Sequence, residues 1–243
     1  MKFGLYVIGD EILSGRRADT HVAWFRRILQ ERGHALAWVQ ILPDSPELLV
    51  RQFRQSMNAT ERAFSCGGIG ATPDDFTRDC AARAAGVSLV RHAGAAELIE
   101  RRFPDSARPH RIRMADLPQG SRLIPNPINQ VPGFSIREHH FLPGFPDMAH
   151  PMGVWVLDQY YPAENRPAGE CSLRVYGTSE NELMPILQQL THDWPDLKLF
   201  SLPRMGEESF VELGFHGKEG LEDAFRALQD ALRSAGLNFH PKE

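Results

Sequence analysis

A glycine-rich turn running into paired carboxylates occupies Ser65-Cys66-Gly67-Gly68-Ile69-Gly70-Ala71-Thr72-Pro73-Asp74-Asp75-Phe76-Thr77. Glycines let backbone N–H groups approach a phosphate, and the unpaired N–H groups at a helix start attract negative charge. A carboxylate beside such an anion can share a divalent cation with it, so the segment suits a phosphorylated ligand. The same residues also read as an ordinary helix start. Thr72 can cap, Pro73 suits the first helical position, and Asp75 falls where a capping-box acid would sit. The segment predicts a helix from Pro73 to Ala85, and the surrounding elements must decide between a plain cap and a phosphate site.

Those elements alternate. Phe3 to Ile8 is an apolar strand, followed by a loop with Gly9-Asp10-Glu11 and Gly15. A helix from about Thr20 to Arg32 then presents Val22, Phe25, Ile28 and Leu29 on one face. Ala35 to Leu42 is a second strand ended by Pro43-Asp44, Ser45-Pro46-Glu47 opens a second helix, and Ala63 to Cys66 is a third strand. Alternation of this kind predicts βαβ units, a largely parallel sheet, and ligands outside the carboxyl ends of its strands. Gly9-Asp10-Glu11, Asp44 and the Gly67 to Asp75 segment all fall at such ends, which favours a site over an isolated cap.

Composition narrows the function classes. The 243 residues carry a formal net charge of −4, which excludes a general basic surface for nucleic acid. No stretch is apolar for long enough to form a signal peptide or membrane span, so neither a nucleic-acid nor a membrane partner is expected. Cys66, Cys80 and Cys171 are odd in number and widely spaced, which points to a reducing cytoplasm. Cys66 reads as a small buried residue. His139-His140 lies in a strand whose alternation sends the two rings to opposite faces, with one expected in solvent. Arg101-Arg102, Arg108, Arg111 and Arg113 read as solvated surface.

Several motifs together resemble the CinA family. Gly9-Asp10-Glu11-Ile12-Leu13 with Gly15 and Asp19-Thr20 is similar to its first motif, and Gly67-Gly68-Ile69-Gly70 through Thr72-Pro73-Asp74-Asp75-Phe76-Thr77 is similar to its second. Leu117-Pro118 with Gly120, Pro125-Asn126-Pro127, Pro132-Gly133-Phe134 and Leu142-Pro143-Gly144-Phe145-Pro146 resemble later landmarks in order, over about residues 1–160. The resemblance implies a three-layer α/β/α molybdopterin-binding-like domain with a mostly parallel sheet, of the type shared with MogA and MoaB, over 1–165. It also implies that Asp44 and Asp75 take part in magnesium binding and catalysis, with Asp10 as a further metal ligand. Gly67, Gly68, Gly70 and Thr72 are then expected on a ligand phosphate, with Glu11, Asp74, Pro143 and Gly144 as further candidates. Relatives of this fold form dimers or trimers, so a homo-oligomer is implied.

Past the polar stretch Pro162 to Gly169 the pattern changes to βαββα with a further strand, which predicts a small α+β, ferredoxin-like domain over 170–243. It resembles the second domain of CinA proteins and stops where longer relatives continue into an amidase. The resemblance implies two functions for one site. The first is a pyrophosphatase using Mg²⁺ or another divalent metal on ADP-ribose-like substrates, and the second is non-catalytic binding of molybdopterin or a nucleotide. Departures from the family pattern at His21, Cys66, Ala71, Arg111 to Ala115, Asn129 and Asp147-Met148 bear on which applies.

Overall fold

The structure is a computed structural model describing residues 1–163, 169–206 and 209–241. The chain divides into two compact units, Met1–Glu164 and Asn165–Glu243. Positions 164–168, within the sequence-expected boundary stretch, lie outside the described residues.

In the first unit β1 (Lys2–Ile8) leads through a one-turn helix, α1 (Asp10–Leu13), to α2 (His21–Glu31), β2 (Ala35–Leu42), α3 (Pro46–Asn58) and β3 (Ala63–Cys66). After the glycine turn come α4 (Thr77–Ala85), β4 (Leu89–Arg91), α5 (Ala93–Arg102) and a 3-10 turn over Arg111–Ala115. Then follow β5 (Asp116–Pro118), β6 (Arg122–Ile124), β7 (Gly133–Ile136), β8 (His139–Leu142) and α6 (Pro146–Tyr160). The main sheet has the order β2-β1-β3-β8-β7-β6. Neighbours from β2 to β8 pair parallel, whereas β7 runs against both β8 and β6. Strand and loop ends of β1, β3 and β8 therefore share one edge.

Alternation along β1 divides its side chains between two cores. Tyr6 and Ile8 join Leu49, Phe53, Phe134 and Phe141 beneath α3 and α4. Phe3, Leu5 and Val7 join Phe25, Leu29, Phe64 and Val156 beneath α2 and α6. Helices thus cover both faces of the sheet, giving the expected three layers.

Burial on both faces corrects one expectation. His139 and His140 do point to opposite sides, but neither is in solvent, because β8 is a central strand roofed on both sides. His139 Nε2 lies 2.7 Å from Ser56 Oγ, which accepts from Tyr6 Oη at 2.9 Å. His140 Nδ1 lies 2.8 Å from Ser135 Oγ and its Nε2 lies 2.8 Å from Tyr161 Oη, which donates to Glu138 at 2.6 Å.

The helix expected from Pro73 begins only at Thr77. Thr72 and Asp75 therefore do not cap it, and residues 71–76 form a separate turn.

The second unit contains β9 (Gly169–Tyr176), α7 (Glu180–Asp193), β10 (Lys198–Arg204), β11 (Phe210–Gly217), α8 (Leu221–Ser234) and β12 (Asn238–Pro241). Its sheet is antiparallel in the order β10-β11-β9-β12, the split-βαβ arrangement of ferredoxin-like modules. The apolar faces of α7 and α8 pack Leu183, Leu187, Leu228 and Leu232 against Leu173, Leu213 and Phe215. Ser179 and Glu182 form a complete capping box at the start of α7.

Burial lowers His139 to about 4 and His140 to about 3, with nearby positive charge adding to the effect. Both lie below the ordinary histidine value, so the unfolded chain takes up protons first. Stability is fully present above about pH 6.5 and is lost as the pH falls toward the folded values, by about 1.4 kcal/mol per pH unit for each histidine. Urea denaturation between pH 6.5 and pH 4.5 should show this loss, to which His21 and His150, also lowered by burial, add, and His140→Gln should make the slope shallower by up to about 1.4 kcal/mol per pH unit; an unchanged slope would contradict the assignment.

Candidate functional site

The main sheet ends in a cavity of about 450 Å³. Its floor is the carboxyl end of β1 at Ile8 and Gly9, the turn after β3, and Pro143-Gly144 after β8. Glu11, Asp44, Asp74 and Asp75 supply carboxylates and Arg17 supplies a cation. Phe103, Met114 and Val131 make an apolar wall on one side, with Phe145 and Met148 on the other and Asn126 and Asn129 adding carboxamides. The residues proposed from sequence, Glu11, Asp44, Gly67, Gly68, Gly70, Thr72, Asp74, Asp75, Pro143 and Gly144, all line this space. Asp10 does not; its backbone amide instead donates to Asp44 Oδ2 at 3.1 Å.

Glycine is required in the turn by the protein itself. A Cβ on Gly67, at φ 115°, would come within 2.2 Å of the Ile8 carbonyl oxygen, and one on Gly68, at φ 67°, within 2.3 Å of Thr77 Oγ1. The turn also uses several of its own donors. Gly67 donates to the Leu142 carbonyl at 3.0 Å, Gly70 to Asp75 Oδ1 at 2.8 Å, and Thr72 to Asp75 Oδ2 at 2.7 Å through its amide and again through its hydroxyl. Of the four positions expected on phosphate, only Gly68 keeps a backbone amide without a protein acceptor. Among the described residues the amides of Ile69 and Ala71 share that property.

Arg78, the second residue of α4 and only 7% exposed, holds the turn from the other side. It donates to the Gly70 carbonyl at 2.6 Å and to the carbonyls of Arg113 and Asp116. Burial lowers its pKa, while Asp75 and Asp116 oppose that shift. Asp75 and Arg78 thus fix Gly70 through its amide and its carbonyl respectively.

Asp44 has a different setting. Burial raises its pKa and the charges of Asp10, Glu11 and Asp74 raise it further, against the hydrogen bond from the Asp10 amide. Placing a cation nearby would favour its ionised form. Among the described residues no three acid, histidine or cysteine side chains gather to hold a metal, so Asp10, Asp44 and Asp75 do not make a coordination set by themselves. Magnesium needs only one or two protein carboxylates when phosphate oxygens and waters complete its shell, so these residues fit a cation that enters with a phosphate.

Sequence reasoning missed Arg17, Arg78, Phe103 and Val131. It quoted Asn126 and Phe145 inside motifs, and Met114, Asn129 and Met148 within departures, without giving any of them a role. The proline-flanked Pro125-Asn126-Pro127 was the available signal, since such an asparagine suits a rigid turn. Arg17 lies 5.2 Å over the Phe145 ring and has no carboxylate partner among the described residues. The Cys66 thiol is buried and its pKa is pushed well above the ordinary range by desolvation, which makes it inert as a nucleophile.

The family described as "Probable molybdopterin binding domain" matches residues 4–162. A CinA-like protein of Geobacter sp. is 34% identical over 199 residues, covering 77% of the chain and 47% of the relative, so the chain spans about half the length of that protein. A protein of Archaeoglobus fulgidus is 26% identical over 234 residues, covering 96% of the chain and 98% of the relative. The crystal structure of a Thermoplasma acidophilum CinA protein of unknown function superposes with a TM-score of 0.60 at 25% identity, over 65% of the chain and 98% of that structure. No helix among the described residues is long and apolar enough to cross a membrane.

The clamp on the turn is testable without any ligand. Asp75→Ala should raise hydrogen exchange at the Gly70 and Thr72 amides by tenfold or more, corresponding to the ~1–3 kcal/mol of lost charge-assisted bonds. Unchanged protection at both amides would show that Asp75 does not hold the turn.

Proposed function

The chain belongs to the family of molybdopterin binding domains, in its CinA-like form, and on that premise we propose that the cavity binds a flat heterocycle carrying phosphate, a pterin or a nucleotide, together with a divalent cation. One observation carries the reading: a single space joins free backbone donors, four carboxylates and one unpaired arginine to an apolar wall. Gly68, Ile69 and Ala71 would donate to phosphate oxygens, and Arg17 would balance their charge. Phe103, Met114 and Val131 would cover a ring face and exclude water from it.

The excess of carboxylates over basic groups argues that phosphate arrives with its cation. Asp44, beside Glu11 and Asp74, is the residue best placed to hold that ion, because its environment disfavours an uncompensated charge. When bound, magnesium would neutralise phosphate oxygens and make phosphorus more electrophilic.

Hydrolysis of a pyrophosphate, as in an ADP-ribose-like substrate, is a finer form of this proposal. With Asp44 on the cation, it leaves proton acceptance from the attacking water to Glu11 or Asp74, the cavity carboxylates that neither hold that ion nor fasten the turn. Asp75 is then a positioning residue, since its oxygens are occupied by the turn. That occupation also favours the second reading, binding without turnover, by leaving one carboxylate fewer for chemistry.

Thermal shift with ADP-ribose, ATP and molybdopterin, each with and without Mg²⁺ or Mn²⁺, tests the binding claim. A ligand at 100 times its Kd should stabilise the protein by about 2.7 kcal/mol, and flat results across the panel would refute it. Product formation from ADP-ribose separates hydrolysis from binding alone. Asp44→Asn retains an oxygen for the Asp10 amide and removes the charge. It should weaken metal-dependent binding tenfold or more, yet raise the ligand-free melting temperature at pH 7, because a carboxyl with a raised pKa destabilises the fold once ionised. That gain should vanish near pH 3, and a variant that melts lower at pH 7 would contradict the strain assigned to Asp44.

A further inference from the structure

Asn126 and Asn129 lie between β6 and β7 on the cavity wall beside Val131. Their own loop fixes both carboxamides end for end. Asn126 Oδ1 accepts from the amides of Ile128 at 3.0 Å and Asn129 at 3.4 Å, and Asn129 Oδ1 accepts from Val131 at 2.9 Å. Only the carbonyl end of asparagine can accept from an amide, so these bonds settle which end is which.

The remaining end of each is an NH₂ group. Neither Nδ2 has a protein acceptor among the described residues, and neither is sealed from solvent, although Asn126 as a whole is only 5% exposed. Both residues border the cavity, and each carries a donor group, its sense fixed by the loop, that no protein atom among the described residues uses. A donor of this kind discriminates strongly when it is removed from water, because a partner that offers another donor leaves both unpaired.

Purine edges differ in this respect. A 6-oxo purine presents O6 and N7 as adjacent acceptors, whereas adenine places an N6 amine, a donor, beside N7. We infer that Asn126 and Asn129 read an acceptor-only edge of the heterocycle, so that the cavity selects a 6-oxo purine ring, hypoxanthine- or guanine-like, over adenine. This rests on the reading of the cavity as a site for a phosphorylated heterocycle and narrows its ligand class.

IDP and ADP carry the same phosphates and differ in their six-membered ring, which makes them the direct test. Calorimetric titration of the full chain with each nucleotide and Mg²⁺ should give an IDP affinity about fivefold or more above that of ADP. Asn129→Asp keeps the oxygen that Val131 needs and exchanges the donor for an acceptor, so it should abolish or reverse the preference. Asn126→Asp makes the same exchange at the more buried position and gives a second measurement if one variant folds poorly. Equal affinities in the unaltered protein, or a preference unchanged in both variants, would overturn the inference while leaving the site itself intact. Failure of both nucleotides to bind would overturn the reading of the cavity, and the inference with it.

Discussion

The glycine turn after β3 has no secondary structure to satisfy its polar groups, and the organisation of the cavity follows from how that need is met. Buried or half-buried amides and carbonyls must find partners. Gly67 finds the end of β8, Gly68 finds the start of α4 through its carbonyl, and Gly70 is held at both ends by Asp75 and Arg78. The donors left over, at Gly68, Ile69 and Ala71, are the ones that can meet a ligand. Scaffold and site are thus two uses of one short run of peptide groups, divided residue by residue.

This division explains what the sequence could and could not reveal. Apolar periodicity located β1, β2, β3, α2 and α3, because each is decided by neighbours a few residues away, whereas the one-turn α1 is too short to show a period and read as loop. Convergence of the Gly9, Asp44 and Gly67 loops was legible for the same reason, since parallel strands bring their carboxyl ends together. The helix start was misread because Thr72-Pro73-Asp74-Asp75 satisfies every local rule for a cap. Asp75 instead turns back to Gly70 and Thr72, and the helix waits until the Thr77 amide reaches the Gly68 carbonyl. That outcome depends on Arg78 being tied to Arg113 and Asp116, about 35 residues farther on. The apolar wall was illegible for a related reason: Phe103, Met114 and Val131 come from three segments with no shared periodicity.

The buried histidines show the same limit from another side. Alternation correctly sent His139 and His140 to opposite faces, but it cannot tell how many layers lie above each face. In an edge strand one ring would meet water; in β8, flanked by β3 and β7 and roofed on both sides, each ring needs its own partners. Ser56 and Tyr6 serve one, Ser135 and Tyr161 the other. The sheet core therefore carries polar contacts that specify how α3 and α6 seat against it, in addition to apolar burial.

Backbone packs on backbone where the turns after β3 and β8 meet: a Cβ on Gly144 would lie 3.4 Å from the Gly67 Cα. The floor of the cavity is consequently built of main chain, whose shape does not change when side chains are exchanged around it. Walls and floor can therefore vary independently in evolution or in the laboratory. On the proposed reading of the cavity, a different ring specificity could be installed by altering residues such as Asn129, Met114 or Val131 while phosphate capture persisted, which would make the domain a platform for diversifying small-molecule recognition.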